Sequence, residues 1–111
     1  MRIYYEHRQL QKASSEYRAA VREWGTENAK KLFSRIQQLQ AASTLNEMYN
    51  VPGARFHSLT GDRKGQFAMD LKHPKRLIVK PTEPVPRTPD GGIDVSRVTE
   101  ILVVEVVDYH D

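Results

Sequence analysis

The fold is decided by one apolar stretch near the carboxyl end of the chain, Val98-Thr99-Glu100-Ile101-Leu102-Val103-Val104-Glu105-Val106-Val107. Nearly every position from 101 onward is a large aliphatic residue, and most are β-branched. Such a run is typical of a β-strand that is covered on both faces. We therefore expect it to be a central strand, with the other elements arranged around it.

Three shorter runs before this strand predict an antiparallel meander. They alternate or carry β-branched residues, and turn-forming residues separate them at 60–64 and 72–75. The predicted strands are Arg55–Leu59, Gly65–Leu71 and Arg76–Lys80. Residues 81–97 contain four of the six prolines and the Asp90-Gly91-Gly92 triplet, which predicts a long exposed loop that resists both helix and strand ladder.

The first half of the chain predicts one strand and then helices. Ile3, Tyr4 and Tyr5 suit a short strand over Arg2–Glu6. Apolar residues at helical spacing predict one helix from His7 to Trp24, ended by Gly25, and a second helix from Thr26 to Leu39, with the Thr26 hydroxyl as its cap.

A capping box formed by Thr44 and Glu47 predicts a short third helix, or a last helical turn, before Pro52-Gly53. Together these elements predict an α+β fold. An N-terminal strand and a helical hairpin would pack on one face of a mainly antiparallel sheet of four to five strands.

Length and composition narrow the class of protein. The 111 residues predict a single domain over 1–111, and the 39% hydrophobic content is that of a folded chain. No cysteine is present, and the four histidines lack helical i, i+4 spacing, so we expect no metal and no cofactor. Without a signal peptide or a membrane-spanning run, the protein is expected to be cytoplasmic, with no membrane partner.

The charge is unevenly distributed along the chain. Residues 51–80 carry seven Lys or Arg against two Asp or Glu, whereas residues 81–111 carry two against seven. A local basic field of this kind suits a polyanion such as RNA. The alternative is an ordinary solvated pair of surface strands.

Four features carry residues suited to chemistry on a phosphodiester. The turn Gly61–Phe67 presents Arg63 and Lys64, and Arg76 begins the next strand. The central strand ends in Asp108, Tyr109 and His110, and His57 lies on the first strand of the meander. Each also has a structural interpretation: a hairpin turn, a protective edge charge, a frayed tail and a hydrogen-bonded strand residue.

The order of elements and several motifs together resemble the RelE/ParE superfamily of toxins, and most closely its HigB-like killer proteins. The motifs are Pro52-Gly53, Phe56-His57-Ser58-Leu59, the Gly61–Phe67 turn, His73-Pro74-x-Arg76-Leu77-Ile78 and Val106-Val107-Asp108-Tyr109-His110. The resemblance covers essentially the whole chain. It departs at Lys75, where the family often has an aromatic residue, and in the proline-rich loop.

This resemblance implies a RelE-like fold and a toxin that enters the ribosomal A site and cuts messenger RNA. It also implies a neutralising helix-turn-helix antitoxin, HigA-like, and possible toxin–antitoxin hetero-oligomers. The residues matching catalytic or phosphate-contacting positions are His57, Arg63, Arg76, Asp108, Tyr109 and His110. Further basic residues expected to bind RNA are Arg55, Lys64, Lys72, Lys75 and Lys80.

Two other functions remain open at the level of sequence. Some members of the superfamily bind and poison DNA gyrase without cleaving RNA, an activity that needs no proton-transfer groups at the strand end. A catalytically inactive relative that only binds RNA or protein is the other alternative.

Overall fold

A computed structural model describes residues 1–108 of the chain. Within them lie three α-helices and five β-strands, joined by short 3-10 turns at 45–50, 61–63 and 95–97. The strands are β1 (Arg2–Tyr5), β2 (His57–Ser58), β3 (Phe67–Asp70), β4 (Lys75–Pro81) and β5 (Glu100–Asp108). The helices are α1 (Arg8–Ser15), α2 (Tyr17–Trp24) and α3 (Thr26–Ala41).

The strands form a single sheet in the order β1-β5-β4-β3-β2. β2, β3 and β4 pair antiparallel in sequence, which confirms the predicted meander. β5 pairs antiparallel with β4 and parallel with β1, so the apolar run of 98–107 lies inside the sheet as expected. The predicted α+β class, with a mainly antiparallel sheet, is confirmed.

The helices cover one face of the sheet and form the main core with it. Leu32, Ile36 and Leu39 of α3 pack against strand residues that include Leu77, Val79 and Val103, all fully or almost fully buried. Because side chains alternate along a strand, the residues between these point to the opposite side. A small second cluster lies there: Leu59, Ala68 and Ile78, with Val104 and Val107 packed against it.

We call this opposite side the open face, because the apolar cluster on it includes no helical residue. The expectation that β5 is covered on both faces was therefore wrong. Ile101 and Val103 are buried against the helices, but Leu102 and Val104 on the other side are only half-buried. The apolar run reflects a strand with one core face and one face carrying a small apolar patch.

The predicted single helix over 7–24 is two helices, with a break at Glu16. Glu16 has extended backbone angles of φ −116° and ψ 113°, although its N–H still donates to Lys12 at 2.9 Å and its carbonyl accepts from Ala20 at 3.1 Å. Ser14 and Ser15 directly precede the break, and serine has a lower helix propensity than alanine or leucine. With α3, the helical layer is three helices instead of a hairpin.

Two capping predictions had different outcomes. Thr26 is the first residue of α3, not its cap: Gly25 occupies the cap position with φ 85°, and the cap makes no side-chain hydrogen bond. The Thr44–Glu47 capping box is confirmed, since the Glu47 carboxylate accepts from the Thr44 N–H at 3.0 Å.

The proline-rich segment 81–97 is more ordered than predicted. Arg87 and Ile93 form an antiparallel bridge, and the Thr88 N–H donates to the Gly92 carbonyl at 2.8 Å. Arg97 fastens this small hairpin by donating to Asp94 at 2.9 Å and to the Arg87 carbonyl at 3.0 Å. The Arg97 side chain and the backbone bonds across the turn at 89–91 hold this hairpin together, although its proline has no N–H donor.

Candidate nucleic-acid interface

The strand register places several candidate residues on the open face in two adjacent rows. The first row runs across four strands through His57, Ala68, Ile78 and Glu105. The second runs through Asp70, Arg76 and Val107. His57 and Arg76 thus lie two strands and one row apart, which puts their Cα atoms roughly 12 Å from each other.

Arg76 is the buried cation of this face, with only 7% of its surface exposed. Its Nε lies 3.2 Å from Oδ1 of Asp70, and the other carboxylate oxygen lies 3.3 Å from Nε of Arg55. A single carboxylate therefore sits between two guanidinium groups. This pairing fixes the position of the Arg76 guanidinium, whose planar fork suits carboxylate and phosphate oxygens.

Asp70 is itself held by its backbone. Its N–H donates to the Ala54 carbonyl at 2.7 Å, and its carbonyl accepts from Nε of Arg35 at 2.9 Å. Arg35 also donates to the Gly53 carbonyl at 3.0 Å, so it ties β3 to the segment before β2. Burial lowers the pKa of the Arg35 guanidinium, an effect that the Asp70 charge opposes.

Sequence reasoning missed both Arg35 and Asp70. Arg35 was hidden because a cation on an amphipathic helix ordinarily faces water. Arg35 is buried because it donates to the carbonyl oxygens of Gly53 and Asp70, which come together only in the folded chain.

Arg63 reaches the open face from the turn between β2 and β3. One terminal nitrogen donates to Oε2 of Glu105 at 2.8 Å, and the other donates to Oε1 of Gln66 at 2.9 Å. Glu105 is half-exposed and belongs to the first row. The contact orients Arg63 toward β5, and the Glu105 carboxylate offsets part of the positive charge of Arg63.

His57 is held in one tautomer by its own strand. Its Nδ1 lies 2.7 Å from the Arg55 carbonyl oxygen. A carbonyl can only accept, so Nδ1 carries the hydrogen in the neutral ring and Nε2 keeps the lone pair.

Arg55, whose carbonyl fixes His57, has an unusual backbone conformation with φ 48°. This left-handed region is unfavourable for a residue with a Cβ, and non-glycine residues in it concentrate at functional sites. Here the conformation directs the Arg55 carbonyl at His57 and its guanidinium at Asp70.

The other basic candidates are not all brought together. Lys80 follows Ile78 on the open face, and Lys64 lies beside Arg63 in the turn. Lys72 instead pairs with Glu27 at the start of α3, at 2.8 Å, and lowers the pKa of that carboxyl. Lys75 pairs with Asp108 at 2.8 Å across the end of β4 and β5.

Asp108 is the last residue that the structure describes. Its ion pair with Lys75 places it at the same end of the sheet as Arg76. Tyr109 and His110, both expected in the site, lie outside the described residues.

Two further findings concern residues 1–108. No group of three His, Asp or Glu side chains there is arranged to hold a metal ion. None of the helices in this range has the length and apolarity needed to cross a membrane.

Comparison with known proteins gives a structural match only. The sequence matches no family profile and no curated protein. Among solved structures, a YoeB/ParE toxin from Agrobacterium tumefaciens superposes with a TM-score of 0.59, covering 99% of this chain and all of that chain at 9% identity.

This chain has the fold of the YoeB/ParE toxin. The likeness extends over the full described architecture, including the strand that carries Asp108. At 9% identity this likeness establishes the fold, and the chemistry has to be argued from the residues of the site.

Proposed function

We propose that this protein is the toxin of a toxin–antitoxin pair and a metal-independent endoribonuclease that cuts messenger RNA on the ribosome. It would be a single-domain, cytoplasmic member of the RelE/ParE superfamily, in the HigB-like branch. A HigA-like helix-turn-helix antitoxin would hold it inactive. The YoeB/ParE toxin fold supports the class, and the residues of the open face support the reaction.

The observation that carries the proposal is that one sheet face collects Arg63, Arg76 and His57. They come from a turn and two different strands, and the register brings them to one surface. A nuclease without a metal needs cations for the phosphate and a proton acceptor near the attacking hydroxyl. Both kinds of group are present.

In the proposed reaction the 2′-OH of the substrate attacks the adjacent phosphorus, and the bond to the 5′-oxygen breaks. Arg76 and Arg63, helped by Lys64, stabilise the charge that develops on the phosphate oxygens. His57 or His110 takes the proton from the 2′-OH, and the other returns one to the departing oxygen.

The residues at the end of β5 would complete the site. Tyr109 would stack on a base, as aromatic side chains do in single-stranded RNA recognition. Asp108 already holds Lys75 and would orient this cation or His110.

The test is to express the chain without a partner and map the 5′ ends of cellular messengers. We expect new ends in translated regions and arrested translation. Arg63→Ala and His110→Ala should each lower the cleavage rate by about 30- to 1000-fold, which corresponds to roughly 2–4 kcal/mol at the transition state. Lys72→Ala is the matched control, because Lys72 pairs with Glu27 on the helical side.

Arg76→Ala is expected to lower the cleavage rate by a similar factor. Because Arg76 is buried, this substitution also destabilises the fold, so its effect on cleavage mixes folding with chemistry. Arg76→Lys keeps the charge and loses the planar fork, so a folded yet inactive Arg76→Lys protein isolates the role in chemistry. DNA damage with intact messengers would indicate a gyrase poison instead. Unimpaired growth with no cleavage would indicate an inactive relative.

A further inference from the structure

A second concave surface lies beside the open face, and nothing above assigns it a role. It is a groove of about 550 Å³ between the Lys64–Phe67 segment and the small hairpin of the proline-rich segment. Tyr49 lies on one side of it, and Arg87 and Ile93 lie on the other.

The hairpin wall of the groove is built by specific hydrogen bonds. The Gly91 N–H donates to the Thr88 carbonyl at 2.9 Å, and the Asp94 N–H donates to the Pro86 carbonyl at 2.9 Å. Gly65, Gly91 and Gly92 contribute no side chains to the lining, which lets a ligand approach the backbone closely. The groove is therefore a shaped feature of the fold.

Its chemistry suits a nucleotide. Lys64 and Arg87 are exposed cations on its two sides. Asp90 also lines it, but that carboxylate already accepts from the Thr88 hydroxyl and from the Gly92 N–H, an engagement that lowers its pKa. Asp90 keeps its negative charge but is held in the turn, and Lys64 and Arg87 together leave the lining with one net positive charge for a phosphate.

An aromatic ring completes the groove. Tyr49 is 50% exposed, and its ring packs edge-on against Phe56 at a centroid distance of 4.7 Å. Phe56 in turn stacks on the buried Phe67 at 5.1 Å. This stack fixes Tyr49 as a rigid platform, the arrangement on which proteins stack bases of single-stranded nucleic acids.

The groove is connected to the candidate active site. Gln66 lines the groove and accepts from Arg63, which binds Glu105 of the first row. Lys64 also lines a smaller neighbouring recess with Lys80, a residue of the open face. Arg63, through Gln66, and Lys64 therefore join the open face to the groove that Arg87 also lines.

We propose that this groove binds the single-stranded RNA nucleotides that flank the cleaved phosphodiester, with Tyr49 stacking on a base and Lys64 and Arg87 holding a phosphate. The inference deepens the proposed function and rests on it. The proline-rich segment is then a substrate-binding element of the protein.

The probe is a 2′-O-methyl RNA octanucleotide, which lacks the attacking hydroxyl and cannot be cut. In the full chain, its binding should shift the amide resonances of Gly65, Gly91 and Gly92. Arg87→Glu and Lys64→Glu should each weaken binding at least tenfold, and Tyr49→Leu should weaken it by about tenfold. Arg18→Glu makes the same charge change on exposed α2 and should stay within twofold.

Two results would overturn the groove proposal. One is that the amide resonances of the three glycines do not shift when the octanucleotide is added. The other is that Arg87→Glu and Arg18→Glu lose equal amounts of binding affinity. Messenger cleavage separates the two proposals. If Arg87→Glu cuts messengers at the same rate and positions as the wild type, the groove proposal is wrong and the nuclease proposal stands. If the wild type binds the octanucleotide in the groove but cuts no messenger, the nuclease proposal is wrong and the groove remains an RNA-binding site.

Discussion

Arg55 combines a left-handed backbone with two contacts of the candidate site. Its carbonyl fixes the His57 ring, and its guanidinium pairs with Asp70. Only the side chain is lost on truncation, whereas the carbonyl remains if the backbone keeps its conformation. The residue therefore allows backbone strain to be measured separately from side-chain contacts.

We expect Arg55→Gly to be more stable than Arg55→Ala by about 1 kcal/mol. Both remove the same ion pair, but only glycine adopts φ 48° without a steric penalty. Urea unfolding of the two variants measures the difference. Equal stabilities would show that this turn relaxes to another conformation in solution.

Asp70 is expected to contribute to stability through Arg76. Asp70→Asn keeps the shape of the side chain but removes the charge beside a guanidinium that is 92% buried by side-chain area, and should cost about 2 kcal/mol of unfolding free energy. The control is Glu27→Gln, which breaks the exposed pair with Lys72 and should leave the urea midpoint nearly unchanged.

The Glu27 pair also sets a pH dependence of defined sign. Lys72 lowers the pKa of Glu27, so the pair stabilises the fold above the ordinary glutamate range and is lost as pH falls. Any difference between wild type and Glu27→Gln should therefore begin to shrink as pH falls below the ordinary glutamate pKa of about 4.3, and should vanish below the lowered pKa of the folded state. A difference that grows toward acid would contradict this assignment.

At the scale of elements, the break between α1 and α2 shows where sequence patterns end. No proline or glycine marks Glu16, and the apolar spacing continues through it, so periodicity predicted one helix. The serine pair before the break was the available signal. Whether two serines interrupt a helix depends on whether their side chains are buried, and burial cannot be read from the sequence.

Ser14→Ala is expected to stabilise the protein by about 1 kcal/mol. Within residues 1–108 the buried Ser14 hydroxyl has no hydrogen-bond partner, and alanine is also the better helix former. Thermal unfolding at neutral pH measures the change. A destabilised Ser14→Ala would show that the hydroxyl binds an ordered water there.

The sheet was largely predictable because its signals are local. Turn residues at 60–64 and 72–75 delimit the strands, and the apolar run of β5 identifies an internal strand. The partners of the candidate cations were not predictable. Asp70 for Arg76 depends on the exact register of the β3–β4 hairpin, and Glu105 for Arg63 joins residues that are distant in sequence.

On the scale of the whole molecule, the fold partly cancels the charge asymmetry of the sequence. The acidic last third contributes β5, which lies directly beside the basic β4. Glu105 and Asp108 of β5 pair with Arg63 and Lys75. The field over the open face is therefore weaker and more localised than the residue counts indicate.

Binding of the octanucleotide should therefore depend only moderately on salt. If Arg63, Arg76, Lys64 and Arg87 neutralise phosphates, the logarithm of the association constant should fall with the logarithm of salt concentration with a slope of about −3. Fluorescence anisotropy over a range of potassium chloride concentrations gives the slope. A slope near zero would contradict phosphate contact by these cations.

The parallel pairing of β1 with β5 joins residues 2–5 to residues 100–103. During synthesis on the ribosome, β1 is made first and has no partner strand until residues 100–103 have been added. A premature stop codon before position 100 deletes the strand that bridges β1 to β4 and removes Glu105 with it. A frameshift anywhere between β1 and β5 would thus leave β1 without its partner.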